Sequence, residues 1–170
     1  MFAKTVYTGD SVIKNVYVCF EEGVVKGVFR GKPESAEVLA EGEAVTPALI
    51  DAHSHIGMAR SGEPVAEEDI NDRFDSIIPH ADALNAVYMD DKAFQESIEF
   101  GVLYSCVMPG SGNVIGGKAV VIKNYARDVE EAFIKYAGVK AALGYNPKST
   151  HEWKGERPYT RMGVSALLEE

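Results

Sequence analysis

The sequence of 170 residues is 46% hydrophobic and 25% charged, a globular composition that excludes extended disorder. Lys and Arg number 17 against 26 Asp and Glu, and the resulting net charge of −9 argues against nucleic acid as a partner. No apolar stretch approaches the roughly 18 residues needed to cross a bilayer, so no membrane partner is expected.

In chain order, residues 2–45 read as short strands between turns. Lys4 to Thr8, Val12 to Phe20 and Val24 to Arg30 are rich in β-branched and aromatic residues. Glu21-Glu22-Gly23 links the last two as a hairpin would. A further small strand is expected at Glu37 to Leu39, ahead of a glycine-containing turn at Glu41-Gly42. The N-terminal MFAKTVYTGD lacks the basic and apolar regions of a signal peptide, so none is expected.

From Val45 the texture changes. VTPALIDAHSHIG reads as an extended, buried apolar run that leads into an acidic stretch, Glu63 to Asp75, expected as a solvated loop or lid. Asp90-Asp91 offers N-caps for a helix through Phe94 and Ile98 that Gly101 can end. Val102 to Met108 and Ala119 to Ile122 are strand candidates. Val129, Ala132, Phe133, Tyr136 and Ala137 recur at helical spacing, which predicts a helix over Arg127 to Ala137. Val139 to Leu143 reads as one more buried strand, and Met162 to Glu170 as the start of a helix. Apolar runs alternating with amphipathic helices predict a parallel α/β arrangement, with strands near 47–53, 102–108, 119–122 and 139–143. Cys19 and Cys106 lie far apart in apolar runs and form no CxxC pair; they read as reduced thiols of a cytoplasmic protein.

The chemistry concentrates in Asp51-Ala52-His53-Ser54-His55. Two histidines one residue apart at a strand end project to the same side and can share a divalent metal such as zinc. Strand carboxyl ends are also where parallel α/β folds build their sites. Asp51 is placed either to orient a histidine or as an outward-facing structural residue. Lys140 stands in VKAAL, where a lone buried ammonium is costly; the alternative is a buried stem with its amine in solvent. Gly116-Gly117 permits either a close backbone approach or a tight turn.

Pro47, Leu49, Ile50, Asp51, His53 and His55, following a small β unit, resemble the entry motif of the amidohydrolase superfamily, with Ala48 where glycine is commonest. Gly101 to Ser111, Asn113 to Gly117, Gly138 to Gly144, Asn146-Pro147-Lys148 and Thr160 to Gly163 resemble its imidazolonepropionase-related branch. The resemblance covers nearly the whole chain. It implies part of a β-sandwich over residues 1–45 and the first four βα units of a (β/α)8 barrel over residues 46–170.

The implied activity is metal-dependent hydrolysis of a C–N bond in an amide or cyclic amide of a small molecule. The implied cofactor is one or two divalent ions, zinc foremost, held by His53 and His55 and bridged by a carbamylated Lys140; Lys123 is the second choice for that role. His151, in the polar loop from Lys148 to Pro158, and Arg161 become candidates for substrate contact. His80, after Pro79, reads as a surface loop residue. The histidines and catalytic aspartate that the resemblance puts on later strands have no counterpart here. The expectation is therefore an N-terminal half, inactive alone, that belongs with a missing C-terminal half or forms a homo-oligomer. The alternative is a non-catalytic metal-binding or oligomerising remnant.

Overall fold

The computed structural model describes residues 1–149 and 157–169. It divides into two units, Met1–Ala48 and Leu49–Glu170.

The first unit is a 4-stranded sheet in the order β3-β2-β1-β4, formed by β1 (Phe2–Tyr7), β2 (Val12–Glu21), β3 (Val24–Phe29) and β4 (Glu41–Val45). β1, β2 and β3 pair antiparallel, whereas β4 lies parallel to β1. The β2–β3 hairpin turns on Glu22 and Gly23, both with positive φ (51° and 76°), the backbone a tight two-residue turn requires. Ala3, Val6, Val16 and Val18 form the buried core. The strand expected at Glu37 to Leu39 is absent; the chain pairs instead at Glu41–Val45, across the expected glycine turn. Gly42 sits opposite Ala3, so backbone pairing prevails there over the turn preference of Glu-Gly.

The second unit contains a sheet in the order β5-β6-β7-β8: β5 (Leu49–Ser54), β6 (Val102–Val107), β7 (Ile115–Lys123) and β8 (Phe133–Ala141). Helix α1 (Lys92–Glu99) precedes β6. Asp91 caps it by accepting from the Ala93 amide at 3.1 Å, and Gly101 ends it at φ 81°. Its one buried residue, Phe94, packs in a core with Met58, Val87, Val107, Val120 and Ile122. One-turn helices α2 (Val129–Ala132) and α3 (Asn146–Ser149) flank β8, and α4 (Arg161–Glu169) follows. Among the described residues no helix is long and apolar enough to cross a membrane.

Three expectations are corrected. The predicted helix over Arg127 to Ala137 survives only as α2, capped by Asp128 accepting from the Glu131 amide at 2.8 Å. From Phe133 onward the aromatic and β-branched residues pair with β7 as a strand. The four strands are also not all parallel: β5 and β6 are, but β7 is antiparallel to both β6 and β8. Residues 108–114 and 124–132 are all that join these strands, shorter than the dozen or so residues a parallel crossover needs. Finally, the apolar run before the histidine pair is not buried: Leu49 is 54% and Ile50 65% exposed on an edge strand.

Candidate metal centre

His53 lies in β5 and His55 one residue beyond its end. Strand alternation turns both rings to one side, with centroids 5.6 Å apart and planes at 86°. Asp51 Oδ1 accepts from the backbone N–H of His53 at 3.1 Å, so this carboxylate shapes the strand end and not an imidazole. The backbone beyond is held to the neighbouring strand, where the Met108 amide donates to the Ser54 carbonyl at 3.1 Å.

His55 Nδ1 lies 2.7 Å from the Met108 carbonyl oxygen. A carbonyl can only accept, so Nδ1 carries a proton, and in the neutral imidazole Nε2 is then the nitrogen with the lone pair. This is the arrangement in which a second partner orients a metal-binding imidazole. Met108 also faces the site with its side chain: the Lys140 amine lies 3.8 Å from its sulfur.

Lys140 Nζ stands 3.3 Å from His53 Nε2. The topology explains this meeting. β7 reverses direction and β8 reverses again, so β8 ends at the same side of the sheet as β5 and β6. Lys140 is the one half-buried residue of the otherwise exposed β8, paired with Gly117 at the start of β7. A Cβ on Gly116 would lie 3.7 Å from Lys140 Cγ and 3.3 Å from Pro109, so Gly116 gives the lysine stem its passage. Gly117 answers to the close-approach reading: a Cβ there would lie 2.6 Å from the Ala81 carbonyl oxygen. Lys123 is excluded from the centre, because it pairs with Tyr104 toward the opposite end of the sheet.

Arg161 is exposed at the start of α4 and does not line the cavity beside His55. His80 is an exposed loop residue, and His151 lies outside the described residues. Among the described residues no group of three or more His, Cys, Asp or Glu gathers as a metal site. Nearby on β6, burial, with a smaller contribution from the Asp51 charge, pushes the Cys106 thiol pKa up.

Sequence reasoning did not identify what fastens the segment after the histidines. Glu63 to Asp75, expected as a solvated loop or lid, closes against the 110–113 loop. Gly110 N–H donates to the Ile70 carbonyl at 2.7 Å, and Gly112 N–H to Asn71 Oδ1 at 2.8 Å. The buried Asn113 donates from Nδ2 to the carbonyls of Asp72 (2.8 Å) and Asp75 (2.7 Å). Ile70 and Asn71 thereby wall a cavity of about 250 Å³ beside His55. The sequence signal was Asn113 itself, a polar residue between glycines and apolar neighbours.

No family model matches the chain. It is 32% identical over 146 residues to the amidohydrolase tasK of Hapsidospora irregularis, an alignment covering 78% of this chain and 15% of that protein. The crystal structure of an amidohydrolase from Thermotoga maritima superposes with a TM-score of 0.79 at 32% identity, covering 98% of this chain and 45% of the other. The chain thus spans less than half the length of either relative. Both support an amidohydrolase family for this chain.

Proposed function

We propose that this chain carries the histidine corner of a metal-dependent hydrolase that cleaves the C–N bond of an amide or cyclic amide in a small molecule. The observation that carries the reading is the meeting of Lys140 with His53, beside a His55 whose proton is fixed on Nδ1. The donor chemistry fits a divalent ion: imidazole nitrogens suit zinc, and the Met108 carbonyl leaves His55 Nε2 open to it. When bound, such an ion supplies a water of lowered pKa and polarises the carbonyl to be attacked.

His53, His55 and Lys140 are the residues that would hold it. As an ammonium, Lys140 donates and repels a cation. As a carbamate it offers oxygen ligands instead: the neutral amine adds to CO2, a C–N bond forms, and one proton is released. Two histidines and one lysine leave the general base and the remaining ligands to be supplied from elsewhere. The support for this is physical. β5 is an edge strand with Leu49 and Ile50 exposed, the kind of surface another strand covers. We infer that further barrel strands, from a following segment or a second copy, complete the site, and that these 170 residues alone turn over little or no substrate. The cytoplasm suits the free thiols of Cys19 and Cys106.

Metal analysis and intact native mass of the purified chain test the centre. Stoichiometric zinc that falls at least tenfold in the H53A/H55A double variant supports it, as does a mass gain of one CO2 that Lys140→Gln abolishes. Equal metal in wild type and double variant sinks it. Zinc without turnover after addition of the C-terminal part of a full-length relative favours a non-catalytic metal-binding remnant.

A further inference from the structure

We propose that Asn71 is a substrate-binding residue of this centre, and that the cavity it shares with His55 takes an uncharged group bearing both a hydrogen-bond donor and an acceptor, in preference to a carboxylate. The inference rests on the hydrolase reading above and assigns the specificity of the same site.

The cavity is small, about 250 Å³, and its lining includes His55, Asn71, Ser111, Asn146 and Ser149. Among the described residues, the histidine is the one ionisable side chain that borders it. A carboxylate entering would lose its hydration without a lysine or arginine side chain among the described lining residues to meet it, which is costly. A larger cavity that Asn71 also borders, about 520 Å³, contrasts with it, being lined by Asp69, Asp72, Asp82 and Arg73. Among the described residues, the neutral lining therefore belongs to the His55 side.

Asn71 is held rather than free to turn. Its Oδ1 accepts from Gly112 N–H at 2.8 Å, and the preceding Ile70 carbonyl accepts from Gly110 N–H at 2.7 Å. Gly110 has no room for a Cβ, which would collide with the Asn71 carboxamide. Arg157 fixes the same loop from its own side, donating from Nη1 to the Gly112 carbonyl at 2.6 Å. With Oδ1 committed, the Nδ2 hydrogens of Asn71 make no hydrogen bond among the described residues and can donate to a ligand acceptor. Ser111 Oγ accepts from Asn146 Nδ2, which leaves its own hydroxyl hydrogen to donate and a lone pair to accept. A site lined in this way rewards a group that both gives and takes hydrogen bonds, and penalises one that leaves these atoms unpaired.

The test compares two isosteric probes, propionamide and propionate, titrated into the isotope-labelled full chain after metal removal, so that no ion draws the carboxylate. Propionamide is expected to shift the Asn71 side-chain and Gly112 backbone signals, and to bind at least fivefold more tightly than propionate. Asn71→Asp keeps an oxygen for Gly112 N–H but loses the Nδ2 donors. It should weaken propionamide about tenfold while the Gly112 amide stays protected from exchange. A purely structural Asn71 would leave Asn71→Asp binding like wild type. That result, or equal affinity for the two probes, overturns the proposal. The His53→Ala variant, whose side chain does not line this cavity, keeps the readouts separate: unchanged zinc there sinks the metal centre, and a retained preference for propionamide upholds the subsite.

Discussion

The buried Asn113 is where the segment following the histidines is fastened, and its removal gives a quantitative test. Nδ2 donates to two backbone carbonyls, of Asp72 and Asp75, at 2.8 and 2.7 Å. Each neutral hydrogen bond is worth about 1 kcal/mol net, so Asn113→Ala should cost about 2–3 kcal/mol once the small cavity is added. For a chain of this size that lowers Tm by about 5–10 °C. Asn113→Asp should do worse at neutral pH, because the carboxylate has no proton for either carbonyl and meets both lone pairs. Its folded-state pKa would be raised above the unfolded value, so the folded form binds more protons and stability returns as pH falls. Thermal unfolding at several pH values measures both effects. Limited proteolysis supplies the local readout, with cleavage inside Glu63 to Asp75 accelerated in both variants. An Asn113→Asp protein as stable as wild type at pH 7, or an Asn113→Ala protein with unaltered cleavage, would refute the fastening role.

Gly117→Ala should be among the most damaging single substitutions, costing about 3 kcal/mol or more. Its φ of 116° disfavours a side chain, and the new Cβ would lie 2.6 Å from the Ala81 carbonyl oxygen and 2.9 Å from its carbon. An unchanged urea midpoint would count against this packing. Cys106 should react with iodoacetamide at pH 8 more slowly than glutathione, because burial first and the Asp51 charge second raise its pKa. Unfolding in urea should abolish the protection, whereas Asp51→Asn should relieve only a little of it. The linked stability is present below the thiol's unfolded pKa and is lost as pH rises through the folded value. Alkylation as fast as glutathione would show that the thiol is not held in this way.

Local signals carried far where backbone chemistry decided the outcome. Asp91 and Gly101 bracket α1 as the capping residues implied, and Glu22-Gly23 makes the hairpin turn its composition called for. Residues 127–137 failed because periodicity cannot distinguish a helix face from aromatic and β-branched residues waiting to pair. Val129, Ala132, Phe133 and Tyr136 fit the helical spacing, yet Phe133 to Ala141 found β7 beside them, and pairing won. Strand direction was also within reach, since residues 108–114 are too few for a parallel crossover. At the site, the neighbourhood of the histidine pair and Lys140 was named from the HxH spacing and from the family resemblance, and Lys140 Nζ comes within 3.3 Å of His53 Nε2. Met108 and Asn71 could not be named so. One acts through its backbone carbonyl, the other through a loop that only Asn113 and the glycine backbone draw inward.

The antiparallel correction bears directly on the centre. Had β7 run parallel to β6, Gly117 and Lys140 could not occupy paired positions at the carboxyl end of β5. Two successive reversals restore the direction of β8, so a lysine far along the chain arrives beside His53 without an intervening barrel unit. The geometry therefore separates two requirements that a complete barrel would merge. Bringing His53, His55 and Lys140 together needs only the short β6–β7–β8 meander and the Met108 carbonyl. Shielding them from water needs whatever covers β5, where Leu49 and Ile50 stand exposed. If these residues hold a metal as proposed, their place on one side of an open sheet edge suits them to capture it before the rest of the site closes over it. On that order of events, metal binding by this chain should precede and favour association with the segment that covers β5, by the amount that the bound state prefers the closed form.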